Sequence, residues 1–361
     1  MPRIALLTRY NTLGASSRVR VLQYLPTLHA AGIETEFFPL FDNDYIKRLY
    51  AGRPTNLQRL RLLWSRILQM PAITRRGRFD MLCIEKELLP YIPYAVEKYL
   101  LGNTPYWLDY DDAIFHNYDR SGNPLIRTLL SQKIDRLMAR ARLITCGNSY
   151  LAGRAERAGA SWVDILPSTI DFEKYHQAPD PVQQAVSDAH PLRLIWIGSP
   201  ATSQYLGLVQ SALEEVGSRY PLELITIGAD APSFKGVRHR SIVWEADTEA
   251  LSLAQGNVGI MPLRDTPWEQ GKCSFKLIQY MATGLPVIGS AVGMNKDVVI
   301  PGQNGLLAST TDEWVQAIET LLRSPEQRTA MGQAGRLAAR EHYSIQAVGP
   351  RLADILSRAI A

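Results

Sequence analysis

A chain of 361 residues has the length of about two domains. With 46% apolar and 20% charged residues it has an ordinary globular composition, and a formal charge of only +4 argues against a nucleic-acid partner. Cys83, Cys146 and Cys273 match no zinc or disulfide framework, no apolar run reaches the ~18 to 20 residues that span a bilayer, and Met1 leads into a strand without a signal peptide. These features predict a cytoplasmic protein in a reducing compartment.

From the N-terminus, strands and helices alternate, the pattern of parallel sheets with crossover helices. A strand at 4–8 passes through Gly14-Ala-Ser-Ser-Arg18 into a helix over about 19–31, where Val19, Leu22, Leu25 and Leu28 recur at helical spacing. Further strands are predicted at 33–38, 79–84, 106–108, 143–146 and 163–166. Parallel sheets take ligands at the carboxyl ends of their strands. That rule singles out the loop with Gly14, Ser16, Ser17 and Arg18: Gly14 permits a tight turn, and Ser16 or Ser17 can cap the helix while facing a ligand. A plain N-cap with a solvated Arg18 is the other reading.

Between Tyr45 and Phe79 there is no acidic residue, while basic residues recur from Lys47 to Arg78. Among them Leu57, Leu60, Leu62, Leu63, Trp64, Ile67 and Leu68 predict a basic amphipathic helix over 57–68, with Arg59, Arg61 and Arg66 on its polar side. Such a helix suits an anionic membrane surface, although a packed first-domain helix with a solvated basic face has the same pattern. Asp109, Asp111 and Asp112 then close the fourth strand. Strand alternation puts Asp109 and Asp111 on one face and Asp112 on the other, so a magnesium or manganese site is not expected. Asp111 and Asp112, with His116 nearby, fall on the ligand edge of that strand.

Pro179, Pro181 and Pro191 mark a linker within 171–191, after which strands are predicted at 192–197, 222–227, 242–244, 258–261 and 286–289. The richest stretch is 268–290: a polar loop with Lys272 and Lys276, a short helix through Leu277, Ile278, Tyr280 and Met281, a stop at Gly284, and the strand entered by Pro286. Helix N–H groups and two ammonium groups at one point suit an anion such as a diphosphate.

Tyr280-Met-Ala-Thr-Gly-Leu-Pro-Val287 resembles the donor-nucleotide signature of retaining glycosyltransferases with the GT-B fold, the family 4 group. The pair of Glu residues in that signature falls on Gly271 and Gln279 here, so Gln279 would reach the ribose through its amide. The resemblance extends to Gly293-Met-Asn295 and Asp297 as the Gly-rich donor loop, and to Gly198, Ser199 and Thr202 after the strand that opens the second domain. Relatives grip phosphate there with Arg and Lys, which assigns that charge to Lys272 and Lys276.

The resemblance implies two Rossmann-like domains facing a cleft: an acceptor domain at 1–172, a donor domain at 173–341, and a C-terminal helix at 342–361 crossing back to the first. It implies transfer of a sugar from a nucleotide-diphospho-sugar, with retention and no essential metal or other cofactor. The expected contacts are Lys272, Lys276, Asp112 and His116 at the reaction, with Gly198, Ser199, Thr202, Ser274, Gln279, Gly293, Asn295 and Asp297 at the donor. The membrane-type helix points to a lipid-linked or cell-envelope glycan acceptor and a peripheral position on the inner membrane face. An epimerase on the same fold, or a non-catalytic sugar-nucleotide binding module, are the alternatives.

Overall fold

The computed structural model describes residues 1–50, 53 and 56–361. Its contacts divide the chain into two compact units: unit 1 comprises Met1–Ser168, Gly271–Cys273 and Val348–Ala361, and unit 2 comprises Thr169–Gln270 and Ser274–Ala347. The sequence drew these boundaries at 172/173 and 341/342 and did not foresee the three-residue excursion at Gly271.

Unit 1 holds β1 (Arg3–Leu7), β2 (Glu34–Phe37), β3 (Met81–Glu85), β4 (Tyr106–Tyr110), β5 (Leu143–Cys146) and β6 (Val163–Ile165), all parallel, in the order β2-β1-β3-β4-β5-β6. β3 and β4 are buried at every position, as expected of strands covered by helices on both faces. The chain reverses its winding between β1 and β3, and in such sheets the crevice at that reversal is the usual ligand position.

Unit 2 holds β7 (Leu192–Ile197), β8 (Leu222–Ile227), β9 (Arg238–Ile242), β10 (Val258–Met261), β11 (Val287–Ser290) and β12 (Gly305–Ala308), again parallel, in the order β12-β11-β10-β7-β8-β9. Its reversal lies between β7 and β10. The core gathers Trp196 and Trp314 with Leu194, Leu213, Leu224 and Ile318. The helix Phe275–Thr283 lies against β10, where a Cβ on Gly259 would sit 2.3 Å from the Tyr280 ring. The Tyr280 hydroxyl accepts the Ile197 N–H at 3.0 Å, which fixes this helix to the carboxyl end of β7. Gly284 ends it in the left-handed region at φ +85°.

Four sequence expectations change. The helix over 19–31 is three pieces, Ala15–Arg20, a 3-10 turn at Leu22–Tyr24, and Leu25–Ala30, because Pro26 has no N–H for a continuous ladder and starts a new helix. β9 begins at Arg238 and not at 242; as a polar, largely exposed edge strand it lacks the apolar signal. β12, Gly305–Ala308, is a strand beyond those the sequence predicts. The helix expected at 57–68 runs Asn56–Ile73, and Arg66 is buried, donating Nη2 to Phe38 O at 2.6 Å. Burial pushes the Arg66 guanidinium down to about 10.

The same helix leaves Leu57, Leu60, Trp64 and Leu68 exposed, at 79%, 55%, 62% and 75%. They fall at spacings of three and four, one stripe of a helix, while Leu62 and Leu63 pack on Leu40, Phe41 and Tyr45. No helix of the described residues is long and apolar enough to cross a membrane.

Candidate active site

The carboxyl ends of β1, β3 and β4 carry a buried ionic network. Glu85 ends β3, Lys86 and Glu87 follow it, and Lys86 has φ +67°, a conformation that costs a non-glycine residue of order 1 kcal/mol and persists where surroundings enforce it. What enforces it is charge: Lys86 Nζ lies 2.8 Å from Asp111 Oδ1 and 3.5 Å from Asp112 Oδ2. Burial opposes the Asp111 carboxylate, but the Lys86 ammonium outweighs burial and holds it down at about 2. Glu85 goes the other way, pushed up by burial with Lys86 opposing.

Ser16 Oγ lies 2.7 Å from Glu85 Oε1 and 2.8 Å from Asp111 Oδ2, so its single proton serves one of them at a time. Ser17 donates to Glu85 Oε2 at 2.5 Å and is fully buried. The expected capping role therefore fails: Gly14 is the N-cap, without a side-chain bond, and the two hydroxyls serve carboxylates. Gly14 is required by contact, since a Cβ there would lie 2.2 Å from Tyr10 Cβ. Arg18 is half-buried in the same short helix.

The three aspartates do not alternate as strand residues, because β4 ends at Tyr110 and the chain bends at Asp111 and Asp112. Both of those carboxylates meet Lys86. Asp109 turns inward, gripped by Arg20 Nε at 2.9 Å and Nη2 at 2.7 Å, and is a structural ion pair. Among the described residues no group of three or more His, Cys, Asp or Glu is arranged around a metal position.

Lys272 belongs to this network and to unit 1. Its Nζ lies 2.7 Å from Asp112 Oδ1, and its carbonyl accepts from Asn148 Nδ2 at 3.0 Å. Burial opposes the Lys272 ammonium, and Asp112 outweighs burial to hold it protonated. Beside it, a Cβ on Gly271 would sit 2.5 Å from Ala113 Cβ and 2.8 Å from Ala113 N. Glycine is required at 271 for want of space beside Ala113.

His116 is not part of the cluster. Its Nδ1 faces Asp119 Oδ1 and its Nε2 faces Tyr150 Oη, both at 2.8 Å. Burial pushes its pKa down, with Asp119 opposing.

In unit 2, Lys276 stands in the first turn of the helix Phe275–Thr283, its ammonium 5.5 Å from the centroid of the buried Trp196 ring. Gly198 passes over the same ring, where a Cβ would lie 2.4 Å from Trp196 Cη2 and 2.7 Å from Thr202 Oγ1. Thr202 Oγ1 accepts the Ser199 N–H at 3.1 Å. Ser274 and Asn295 are buried and bonded to each other, Ser274 Oγ donating to Asn295 Oδ1 at 2.7 Å. They brace the loop and do not present their polar atoms outward. Gly293 takes φ +50° beside the Gln270 backbone, and Asp297 is exposed on the following turn. Gln279 is buried with its amide nitrogen committed, 2.8 Å from Glu249 Oε1 and 3.2 Å from Tyr175 Oη.

Thus the structure joins Ser16, Ser17, Asp112 and Lys272 in unit 1, and Gly198, Thr202 and Lys276 in unit 2. The two lysines read together in sequence fall in different units. Sequence reading missed Glu85, Lys86 and Glu249. Glu85-Lys86-Glu87 after an apolar strand was detectable by the same carboxyl-edge rule that found Asp112.

A family model described as glycosyl transferases group 1 matches residues 191–324. A mycolicibacterial protein, the GDP-mannose-dependent alpha-(1-6)-phosphatidylinositol monomannoside mannosyltransferase of Mycolicibacterium smegmatis, is 36% identical over 267 residues, 67% of this chain and 68% of that protein. The chain belongs to the group 1 glycosyltransferases. A Bacillus subtilis protein named for teichuronic acid biosynthesis, TuaH, is 24% identical over 170 residues; the match covers 43% of this chain and 42% of that protein, less than two thirds of its length. The crystal structure of Anabaena Alr3699/HepE with UDP and glucose has a TM-score of 0.69 at 14% identity, covering 99% of this glycosyltransferase and 100% of the Anabaena chain. The fold of this glycosyltransferase is GT-B, with a parallel sheet in each unit.

Proposed function

We propose that this glycosyltransferase moves a hexosyl group from a nucleotide-diphospho-sugar to a lipid-linked or other cell-envelope glycan, with retention and without an essential metal. The observation that carries the donor half is Lys276 in the first turn of its helix, beside the Gly198 turn at the reversal of the unit 2 sheet. When the bond from sugar C1 to the diphosphate oxygen breaks, negative charge builds on the diphosphate. A fixed ammonium and helix N–H groups at that point are worth several kcal/mol of barrier. The Anabaena structure with UDP and the GDP-mannose dependence in the name of the mycolicibacterial relative support a nucleotide donor and leave the base open.

For the acceptor half, Asp112, held by Lys86 and Lys272, is a preset acceptor for a sugar hydroxyl. The exposed stripe of Leu57, Leu60, Trp64 and Leu68 beside Arg59 and Arg61 supports docking on an anionic cytoplasmic membrane face.

A panel of nucleotide sugars in a thermal-shift assay, followed by donor turnover with and without membrane extract, tests the reading. The expected result is stabilisation by at least one nucleotide sugar and sugar transfer that needs the extract. Binding without turnover would leave a binding module, and rearrangement of the donor without extract would leave an epimerase. For the membrane, co-sedimentation with acidic vesicles is expected, with release as salt shortens the Debye length from ~8 Å to ~3 Å. Trp64→Ala, and Arg59→Gln with Arg61→Gln, should weaken it several-fold without lowering the melting temperature, since these side chains face solvent or lie half-buried. Equal sedimentation with neutral and acidic vesicles returns the segment to an ordinary helix.

A further inference from the structure

We propose that Glu249 receives the ribose hydroxyls of the nucleotide, with Gln279 and Tyr175 as positioning residues for its carboxylate; this rests on the nucleotide-sugar reading above. Three strand ends lead to it. Gly198 follows β7 and Gly228 follows β8, and they touch: Gly228 has φ +83°, and a Cβ on it would lie 2.7 Å from Gly198 O and 3.2 Å from Trp244 Cβ. Trp244, just past β9, donates its indole N–H to Glu249 Oε2 at 2.6 Å. Tyr175 donates its hydroxyl to Oε1 at 2.5 Å, and Gln279 Nε2 donates to the same oxygen at 2.8 Å. The carboxylate is thereby tied to the ligand edge of a parallel sheet.

Its partners fit that role. All three donors are neutral, so they orient the carboxylate without cancelling its charge. An ionised carboxylate offers about four lone-pair positions, and these bonds fill three, leaving Oε2 with room for a hydroxyl donor. A vicinal diol gives two such donors, the second able to replace Trp244 or Tyr175. The spacing also fits: Gln279 is three residues beyond Lys276 on one helix, a rise of about 4.5 Å. Lys276 and the amide that holds the carboxylate thus stand within one turn of the same helix.

Glu249 also accounts for Gln279. A Glu at position 279 would set a second carboxylate within 2.8 Å of the first, and like charges at that distance cannot both ionise freely. The acid that the resemblance implies at this helix position comes instead from the neighbouring helix Glu249–Leu253, and position 279 is an amide that holds it. Gln279→Glu should therefore weaken nucleotide binding, where a simple replacement of the ribose ligand would leave it intact or tighter.

Calorimetric titration of the full chain with UDP, GDP and their 2′-deoxy forms tests the assignment. The unsubstituted protein is expected to favour the ribonucleotide at least about tenfold. Glu249→Gln should cut that preference below about threefold, and Gln279→Glu should lower it in the same direction. Lys276→Ala should weaken ribo and deoxy forms alike and keep their ratio. An undiminished preference in Glu249→Gln, or a tighter ribonucleotide in Gln279→Glu, overturns the proposal. An unsubstituted protein that binds nucleoside diphosphates without preferring ribose overturns it while sparing the functional reading. No binding of any nucleoside diphosphate overturns both. If Glu249→Gln melts early, Gln279→Glu alone decides.

Discussion

At the carboxyl edge of the unit 1 sheet, Glu87, Asp111 and Asp112 face Arg9, Lys86, Lys133 and Lys272 in ion pairs, and Glu85 takes hydrogen bonds from Ser16 and Ser17. At the corresponding edge of unit 2 stand Gly198, Ser199, Thr202 and Gly228, with Lys276 over an indole ring and a carboxylate held by neutral donors. The first edge carries its own compensation: buried charges cost several kcal/mol each to desolvate and must be balanced from within. The second is a set of close backbone approaches around one ammonium and one carboxylate. One edge is preset in charge by its own ion pairs; the other is the edge to which the proposed function assigns the diphosphate.

The contrast breaks most visibly at Lys86. Removing its ammonium in Lys86→Met leaves Asp111 and Asp112 short of a buried partner, and a loss of about 3 to 5 kcal/mol in urea unfolding is expected. A loss below 1 kcal/mol would show that solvent, and not Lys86, balances the cluster. Nearby, Glu97 Oε1 accepts from Leu89 N at 3.0 Å and faces Lys133 at 2.9 Å, while Oε2 is buried without a partner. Burial pushes this carboxyl up to about 7, with Lys133 opposing. A proton held more tightly in the folded state stabilises below the ordinary value of 4.5 and ceases to do so as pH rises through 7. Stability should therefore fall by up to about 3 kcal/mol between pH 4.5 and 8, and Glu97→Gln should flatten that slope. A wild-type profile already flat over this range would remove Glu97 from the network.

Gly271→Ala tests the packing account of the glycine at 271. A methyl group against Ala113 should cost about 1 to 3 kcal/mol, and unchanged stability would reopen the question of why glycine stands there. The smallest effect on stability belongs to unit 2. Lys276→Ala should weaken nucleotide binding at least tenfold, about 1.4 kcal/mol, while stability changes by no more than the ~0.5 to 1 kcal/mol of a cation–π contact. Wild-type binding in this variant would remove the cation from the diphosphate position.

The alternation of strands and helices was legible because β3, β7, β8, β10 and β11 are apolar runs, and being buried on both faces is what parallel strands require. β9 was misplaced because an exposed edge strand of Arg, His and Ser carries no such pattern. Arg66 was read as surface because periodicity shows which residues are charged and not which way the helix turns; its guanidinium pays for burial with one carbonyl, Phe38 O. Lys272 and Lys276 are four residues apart, yet one pairs with Asp112 and the other lies over Trp196. Lys86 and Glu249 act through partners distant in sequence and, for Lys86, through a left-handed backbone, neither of which leaves a local mark.

Unit 1 is assembled from three stretches of chain, and this orders events during synthesis. A ribosome finishes β6 at Ile165 long before it reaches Lys272, which lies 160 residues after its partner Asp112. At about 5 to 20 residues per second that interval is roughly 8 to 30 seconds. Throughout it Asp112 has Lys86 alone among its two ammonium partners, and the stretch Val348–Ala361 does not yet exist. Stalled nascent chains ending before Gly271 are therefore expected to show a protease-labile β4 edge, and chains stalled past Ala361 a protected one. Equal protection in both would mean that the sheet closes without its late partners. The fully paired form of the unit 1 edge waits for Lys272.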